Sequence, residues 1–269
     1  MADRNSTPPA QRLPLALGAG AVLIGSLVAA IIFVNNANSP VSTASTATST
    51  SASTAATTAS ASASASPSPS AVPFADCSSA TFGAPLQPAG EPSNPHVYSA
   101  APSMQIDTTK LYEATITTVR GKIVICLQPS LAPKTVNSFV VLARNHFFDG
   151  IPFHRVCPNT ADSSCGGTLA IIQGGDPNCI GNVHATTCGQ GGPGYKFADE
   201  PVRQQYSAGT VAMANSGANT NGSQFFINTG ANQFPPSYNL FGKVASGLDV
   251  AQKILQGDVM QGVTVVQQT

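Results

Sequence analysis

The chain has no tryptophan and few charged residues. Its 12 lysines and arginines balance 12 aspartates and glutamates among 269 residues, so the formal net charge is zero. A nucleic-acid-binding protein needs a basic face, and this sequence has no lysine- or arginine-rich stretch to supply one. We therefore expect no nucleic-acid partner. The six cysteines include no C-x-x-C pair, the usual mark of zinc ribbons and thioredoxin-like redox sites.

The first long apolar run covers residues 13–34 and carries no charge. As a helix it would span about 33 Å, against a membrane hydrocarbon core of about 30 Å. Arg4 and Arg12 precede it, and no charge follows until Asp76. The positive-inside rule places residues 1–12 in the cytoplasm and the rest outside the cell membrane. A cleaved signal peptide is the alternative, but its apolar region is usually about 7–15 residues, so we expect an uncleaved single-pass transmembrane anchor.

A spacer follows the apolar run. Residues 39–71 are only Ser, Thr, Ala and Pro, apart from Val41. Such a composition cannot bury enough apolar surface to offset the entropy lost on ordering. We expect residues 35–73 to be a disordered linker, either O-glycosylated or a plain tether.

All the cysteines follow the predicted anchor, on the side expected to be oxidising. They allow 15 disulfide pairings, among which the sequence alone does not choose. Short polar loops suggest that Cys157 pairs with Cys165 and Cys179 with Cys188, which leaves Cys77 and Cys126 for each other. Export favours disulfides over other uses of these residues.

A metal site is the rival interpretation of the cysteines. Its ligands would be Cys179, His184 and Cys188, with or without Cys157 or Cys165. This spacing matches no common zinc pattern. We therefore expect disulfides and no metal.

The remaining residues favour one mainly β domain after an irregular lead-in at 74–103. Thr, Ile and Val dominate residues 110–119 and 122–127, and Arg120-Gly121 between them predicts a hairpin turn. Further strands are predicted at 169–172, 209–214, 224–228 and 263–266, and helices at 133–147 and 248–255. Many short strands with two helices predict a closed antiparallel barrel whose open ends the helices cap.

Five motifs then appear in order: FHRV (153–156), QGGDP (173–177), GGPGYKFADE (191–200), VAMANSGANTNGSQFFI (211–227) and FGKV (241–244). Together they resemble the signatures of the cyclophilin family over residues 104–269. The segment PKTVNSFVVLARNHFFDG resembles the family's first helix. The resemblance implies an eight-stranded β-barrel with a helix at each end. It also implies peptidyl-prolyl cis-trans isomerase activity without a cofactor.

The chemistry of that reaction explains why an arginine is needed. The barrier to X–Pro rotation, about 18–20 kcal/mol, comes from amide resonance, and no bond is broken. A fixed cation donating toward the amide nitrogen favours the twisted transition state. Arginine stays charged and presents a rigid fork of donors. By resemblance Arg155 has this role, and Gln173 orients it and contacts the substrate.

The remaining site residues are also assigned by resemblance. Asn215, flanked by Ala214, bonds the substrate through its backbone. Gln224 and Phe226 form the floor and wall of an apolar proline pocket. Alternation along a strand puts Phe225 and Phe226 on opposite faces, so that only one lines the pocket. The full set of expected substrate-binding residues is His154, Ile171, Ala214, Asn215, Gln224, Phe226, Phe234 and Tyr238.

The chain departs from the family pattern beside the proline pocket. Ala170 stands where members often have an aromatic residue, and Tyr238 where histidine is frequent. Gln233 occupies the position of the tryptophan of cyclosporin-sensitive members. Two insertions, between Val156 and Leu169 and around residues 178–190, each carry a cysteine pair.

Three functions fit these observations. The first is an isomerase that assists the folding of exported proline-containing polypeptides as a membrane-tethered monomer. The second is a peptide-binding module that has kept the groove without turnover. The third is a chaperone or wall-associated protein whose domain tethers a partner. Arg155, Gln173 and Phe226 occurring together favour the first.

Overall fold

The computed structural model describes residues 70–157 and 165–269, except residues 89 and 91–93. The strands and helices in these residues are β1 (Phe82–Pro85), β2 (Tyr112–Thr118), β3 (Gly121–Leu127), α1 (Pro133–Arg144), β4 (Arg155–Cys157), β5 (Ile171–Gly174), β6 (Thr210–Met213), β7 (Phe225–Asn228), β8 (Leu240–Ser246), α2 (Leu248–Ala251) and β9 (Gly262–Gln268). Short 3₁₀ turns occur at Cys77–Ser79 and Pro177–Cys179. A mainly β fold with two helices is therefore confirmed.

The strands form one antiparallel sheet in the order β1-β9-β2-β3-β8-β6-β7-β5-β4. The predicted closed barrel of eight strands is wrong in two respects. Within the described residues there are nine strands, and the sheet ends at β1 and β4 without hydrogen bonds between them. The additional strand is β1, which lies in the lead-in predicted to be irregular and pairs with β9. Its sequence, FGAP, lacks the alternation that identifies a strand.

The predicted hairpin is β2 and β3, which pair from Tyr112 with Leu127 to Thr118 with Gly121. Gly121 has φ 128°, a conformation that few other residues adopt. The hydroxyl of Thr118 donates to the Gly121 carbonyl at 2.9 Å and accepts from the Arg120 N–H at 3.1 Å. Side chains along β2 alternate between buried and half-buried positions, as expected for a strand with one face on the core.

Helix α1 begins with Pro133 at its first turn, where a missing N–H costs little. The N-cap residue is an alanine, which has no side-chain acceptor. The carboxylate of Glu200 takes that place by accepting from the N–H groups of Lys134 and Thr135 at 3.0 and 2.8 Å. The helix ends three residues earlier than predicted, and His146 beyond it has φ 60°. Helix α2 is also shorter than predicted, at four residues.

Two apolar clusters lie on opposite faces of the sheet. The larger is the interior core, which contains Phe139, Phe148, Phe225 and Phe241. The smaller one, here called the outer cluster, contains Phe226, Ile171, Tyr206, Leu240, Ala212, Leu131, Cys157 and Cys165. Phe225 and Phe226 therefore point to opposite sides, as strand alternation predicts.

The end of the linker and the start of the lead-in pack against the outer cluster. Val72 and Phe74 pack against it, and the side chain of Gln128 bonds the N–H of Ala75 at 2.8 Å and the carbonyl of Pro73 at 2.9 Å. These contacts begin one residue before the predicted end of the linker, so the chain enters the domain beside this cluster.

The cysteines form the bonds Cys77–Cys126, Cys157–Cys165 and Cys179–Cys188. This is the pairing suggested by the short polar loops. Each short bond closes one of the two insertions, while the third ties the lead-in to β3.

The predicted membrane anchor, residues 13–34, lies outside the described residues, as does almost all of the predicted linker. Among residues 70–157 and 165–269, apart from the gaps given above, no helix has the length and apolarity to cross a membrane.

Candidate active site

The sheet register aligns the predicted site residues in one row. Arg155 on β4 pairs with Gln173 on β5, and Gln173 pairs with Phe226 on β7. Phe226 in turn pairs with Ala212 on β6. Residues paired across strands point to the same side of a sheet. The predicted arginine, its orienting glutamine and the predicted pocket wall therefore share one surface, although up to 71 residues separate them in sequence.

A chain of side-chain hydrogen bonds holds the polar part of this row. The guanidinium of Arg155 donates to Gln173 Oε1 at 3.4 Å. Gln173 Nε2 donates to Gln224 Oε1 at 3.0 Å. Gln224 Nε2 donates to the carbonyls of Gly189 and Gly191 at 3.0 and 2.9 Å. The orientation of Arg155 is thus linked, through two glutamines, to the backbone of the second insertion.

Asp176 anchors the far end of this chain. Its side chain accepts from the N–H groups of Asn178, Gly189 and Gly191 at 2.8, 2.6 and 2.9 Å, and from Gln224 Nε2 at 3.3 Å. The residue is 0% exposed. A buried carboxylate is stable when hydrogen bonds of this kind satisfy it. A Cβ on Gly191 would lie 2.1 Å from Asp176 Oδ1, so this approach requires glycine.

The role of Asp176 was missed from the sequence. The only signal was its place directly after the two glycines of QGGDP. A single aspartate after a strand is commonly a turn or cap residue, and this one also caps the turn Pro177–Cys179.

The apolar part of the site is a group of aromatic rings at the end of the row. Phe226 contacts Phe234 and Tyr238, with ring centroids 5.1 and 5.5 Å apart. Phe234 also contacts Tyr206, at 5.4 Å. The hydroxyl of Tyr206 donates to the Tyr238 carbonyl at 2.7 Å, and burial raises the pKa of this phenol, which therefore stays protonated. The sequence did not indicate Tyr206, whose motif-free surroundings gave no signal.

A groove of about 740 Å³ adjoins these rings. It is lined by Gln173, Gln190, Ala214, Asn215 and Gln224, among others. The side chain of Asn215 donates to the Ser237 carbonyl at 2.8 Å, which fixes the backbone beside the groove. Four predicted site residues therefore meet in the groove.

The other predicted residues are divided between two places. Ile171, Phe226, Phe234 and Tyr238 belong to the outer cluster or pack against it. His154 is instead buried beneath the second insertion, close to the disulfide Cys179–Cys188. Burial chiefly lowers the pKa of His154, Asp176 opposes this, and the charge of Arg155 lowers it further. The imidazole is therefore neutral at neutral pH.

The departures from the family pattern lie at the rim. The backbone carbonyl of Ala170 accepts from Asn232 Nδ2 at 2.7 Å, and its side chain closely approaches Gly230. Gln233 lines a second cavity with Phe234, Tyr206 and Arg203. In addition, the disulfide Cys157–Cys165 is packed into the outer cluster beside Ile171.

The arrangement places a cation, a hydrogen-bonding groove and a group of aromatic rings on one side of the sheet, and Ala214 both lines the groove and packs against the outer cluster. An X–Pro peptide bound along this surface would place its ring against the aromatic side chains and its amide toward Arg155. Donation toward that nitrogen favours the twisted amide, and no nucleophile or bond cleavage is required. A site of this kind defines a peptide-bond rotamase.

Comparison with known proteins agrees with this class. Residues 113–269 match the family model for cyclophilin type peptidyl-prolyl cis-trans isomerases. The chain belongs to the cyclophilin-type peptidyl-prolyl cis-trans isomerase family.

Two relatives and one solved structure illustrate the similarity. The chain is 38% identical over 163 residues to the probable peptidyl-prolyl cis-trans isomerase B of Mycobacterium leprae, covering 55% of this chain and 50% of that protein. It is 41% identical over 151 residues to peptidyl-prolyl cis-trans isomerase B of Bacillus subtilis, covering 54% and 91%. A cyclophilin-type isomerase from Cryptosporidium parvum aligns at 26% identity with a TM-score of 0.45, covering 58% and 97%. The chain thus spans about half the length of the mycobacterial relative.

Proposed function

We propose that residues 104–269 catalyse cis-trans isomerisation of X–Pro bonds in exported polypeptides while tethered to the outer face of the cell membrane. The observation that carries the catalytic part is the row formed by Arg155, Gln173 and Phe226. It puts a cation oriented by a glutamine beside an apolar pocket, which are the two features that X–Pro rotation requires.

The test is an isomerisation assay on the full-length chain in detergent. Exchange NMR on a short X–Pro peptide measures both directions of the reaction without a coupling enzyme. We expect exchange far faster than the uncatalysed reaction, which takes tens to hundreds of seconds. Peptide binding without accelerated exchange would overturn the catalytic proposal and favour a binding module.

The location outside the membrane is supported by two separate features. Residues 13–34 are long and apolar enough to span a bilayer, with positive charge before them. All six cysteines are paired in disulfides, which persist in oxidising compartments.

Protease treatment of intact cells tests the location. We expect cleavage in residues 35–73 to release the domain, while an epitope tag before residue 13 stays protected and membrane-bound. A domain that resists protease until the cells are lysed would contradict the proposal.

A further inference from the structure

A buried histidine lies against one of the disulfides. A ring nitrogen of His154 and the sulfurs of Cys179 and Cys188 all lie within 4.8 Å of one another. His154 is 8% exposed, and its Nδ1 has no hydrogen-bond partner within the part of the chain that the structure describes. A buried polar atom without a partner is costly and rare. A buried imidazole with an unpartnered nitrogen, and with a ring nitrogen close to two sulfurs, indicates a ligand that the oxidised protein does not bind.

We propose that His154, Cys179 and Cys188 form a binding site for a thiophilic d¹⁰ ion such as Zn²⁺ that exists only when the disulfide is reduced. A thiol reductant supplies two electrons and two protons, is itself oxidised to a disulfide, and leaves two cysteine thiols. Each thiol loses its proton as the ion binds, and the imidazole contributes a neutral nitrogen. The disulfide and the metal site therefore exclude each other.

The donor set suits such an ion. Two thiolates and one imidazole are a common ligand set for zinc with an open fourth position. Two thiolates also cancel the charge of a divalent ion, so that the occupied site has no net charge to bury.

One side of the site is rigid and the other can adjust. The backbone of His154 is held by the Gln173 carbonyl at 3.0 Å and by the side chain of Gln256 at 2.8 Å. Cys179 is fully buried in a turn, whereas Cys188 is half-buried in the insertion. Bonds of about 2.3 Å from a tetrahedral ion need sulfurs about 3.8 Å apart, which Cys188 can provide by moving outward once the disulfide opens.

The histidine differs from the one that the sequence indicated. The metal site that was the rival interpretation of the cysteines used His184. This residue is exposed, and its backbone N–H donates to the side chain of Asn182 at 2.9 Å. The fold instead brings in His154, which is 25 residues before Cys179 in the sequence. His184 is therefore a matched control for His154.

Metal binding at this site is expected to lower isomerisation, a consequence that rests on the proposed function. His154 precedes Arg155 in the chain. Gly189, which follows Cys188, accepts from Gln224 at 3.0 Å. An ion that moves Cys188 would loosen the hydrogen bonds that orient Arg155.

The decisive measurement is spectroscopic and does not depend on activity. The full-length chain is reduced with a phosphine and titrated with Co²⁺, whose thiolate charge-transfer and ligand-field bands report tetrahedral sulfur ligation, and Zn²⁺ is then added in competition. We expect one equivalent bound by the reduced chain and none by the oxidised chain. His154→Ala and His154→Gln should each weaken binding at least about tenfold. The double variant Cys179→Ser, Cys188→Ser should abolish it.

The controls are His184→Ala and the double variant Cys157→Ser, Cys165→Ser, both of which should bind normally. Thermal melting of each variant shows whether it is folded. The site would be overturned by any of three results: no cobalt bands in the reduced chain, binding by the His154 variants as tight as by the unaltered chain, or loss of binding in His184→Ala. Each result can be obtained even if the isomerase assay fails, so the two proposals are tested separately.

Discussion

Arg155 and Gln173 stand opposite each other on neighbouring antiparallel strands, and the guanidinium donates to the glutamine oxygen at 3.4 Å. The same register puts Phe226 next in the row. The guanidinium of Arg155, the proposed catalytic cation, is therefore positioned relative to Phe226 by the sheet backbone as well as by side-chain contacts.

Replacing Arg155 is expected to remove the donor to the amide nitrogen. Arg155→Ala should lower kcat/KM by about two orders of magnitude, the usual effect of losing one transition-state donor. Arg155→Lys should recover little, since an ammonium lacks the planar fork. Arg120→Ala is the control, because Arg120 pairs with Asp258 away from the row. Near-normal turnover in Arg155→Ala would disprove the assignment.

Asp176→Asn tests the hydrogen-bond chain behind the glutamines. The amide would direct N–H groups at the donors of Gly189, Gly191 or Gln224, so we expect a loss of about 1–3 kcal/mol in stability. We also expect kcat to fall more than KM rises, because Gln224 and Gln173 lose their fixed orientation. The side-chain NH₂ signals of Gln224 in ¹⁵N NMR should shift.

Asp149→Asn is the matched control for that prediction. Asp149 accepts from the N–H of Val263 at 3.1 Å, outside the site. The Asp149→Asn variant should lose some stability but keep its isomerisation rate. A fall in kcat of the same size in both variants would mean that Asp176 acts through general stability alone.

The three disulfides should differ in their contribution to stability. Loop-closure entropy predicts about 4 kcal/mol for Cys77–Cys126, with a sequence separation of 49. It predicts about 2.6 kcal/mol for Cys157–Cys165, with a separation of 8. Double variants that replace both cysteines of one bond by serine, unfolded in urea, measure this difference in stability.

The presence of all three disulfides predicts that the intact mass of the native chain rises by six hydrogens on reduction. Free thiols in the native chain would contradict this prediction.

Cyclosporin should inhibit weakly. In sensitive members of the family a tryptophan N–H donates to this ligand, and the resemblance predicts that Gln233 stands in that position. An unpartnered buried acceptor costs about 1–3 kcal/mol, or roughly a 5- to 150-fold loss of affinity. Gln233→Trp should restore part of this affinity in the isomerase assay. Inhibition of the unaltered chain at low nanomolar concentration would show that the far wall of the pocket was misassigned.

The elements that were predicted correctly are those whose structure depends on residues close together in the sequence. The β2–β3 hairpin follows from β-branched residues around Arg120-Gly121, and the start of α1 follows from Pro133. Both depend on neighbours within a few positions. The end of α1 was predicted three residues too late, because helix ends are set by backbone conformations such as that of His146, which the apolar pattern does not reveal.

The site shows the same division. Arg155, Gln173 and Phe226 were predicted as site residues because each lies in a motif that can be read along the chain, and the structure brings them into one row. Asp176 was not predicted. Its hydrogen-bond partner Gln224 lies 48 residues away in the sequence, and the burial that makes this carboxylate important is a property of the folded chain.

The sequence by itself determined the family, the mainly β fold and the surface on which Phe226 lies, and it predicted Arg155, Gln173 and Phe226 as site residues, because short-range periodicity and contiguous motifs encode them. Only the tertiary structure decided that β1 extends the sheet along β9, that the sheet does not close between β1 and β4 within the described residues, and that His154 rather than His184 lies beside Cys179 and Cys188. These features depend on contacts between residues distant in the chain. Such contacts arise when strands pair and side chains pack, and no local pattern specifies them.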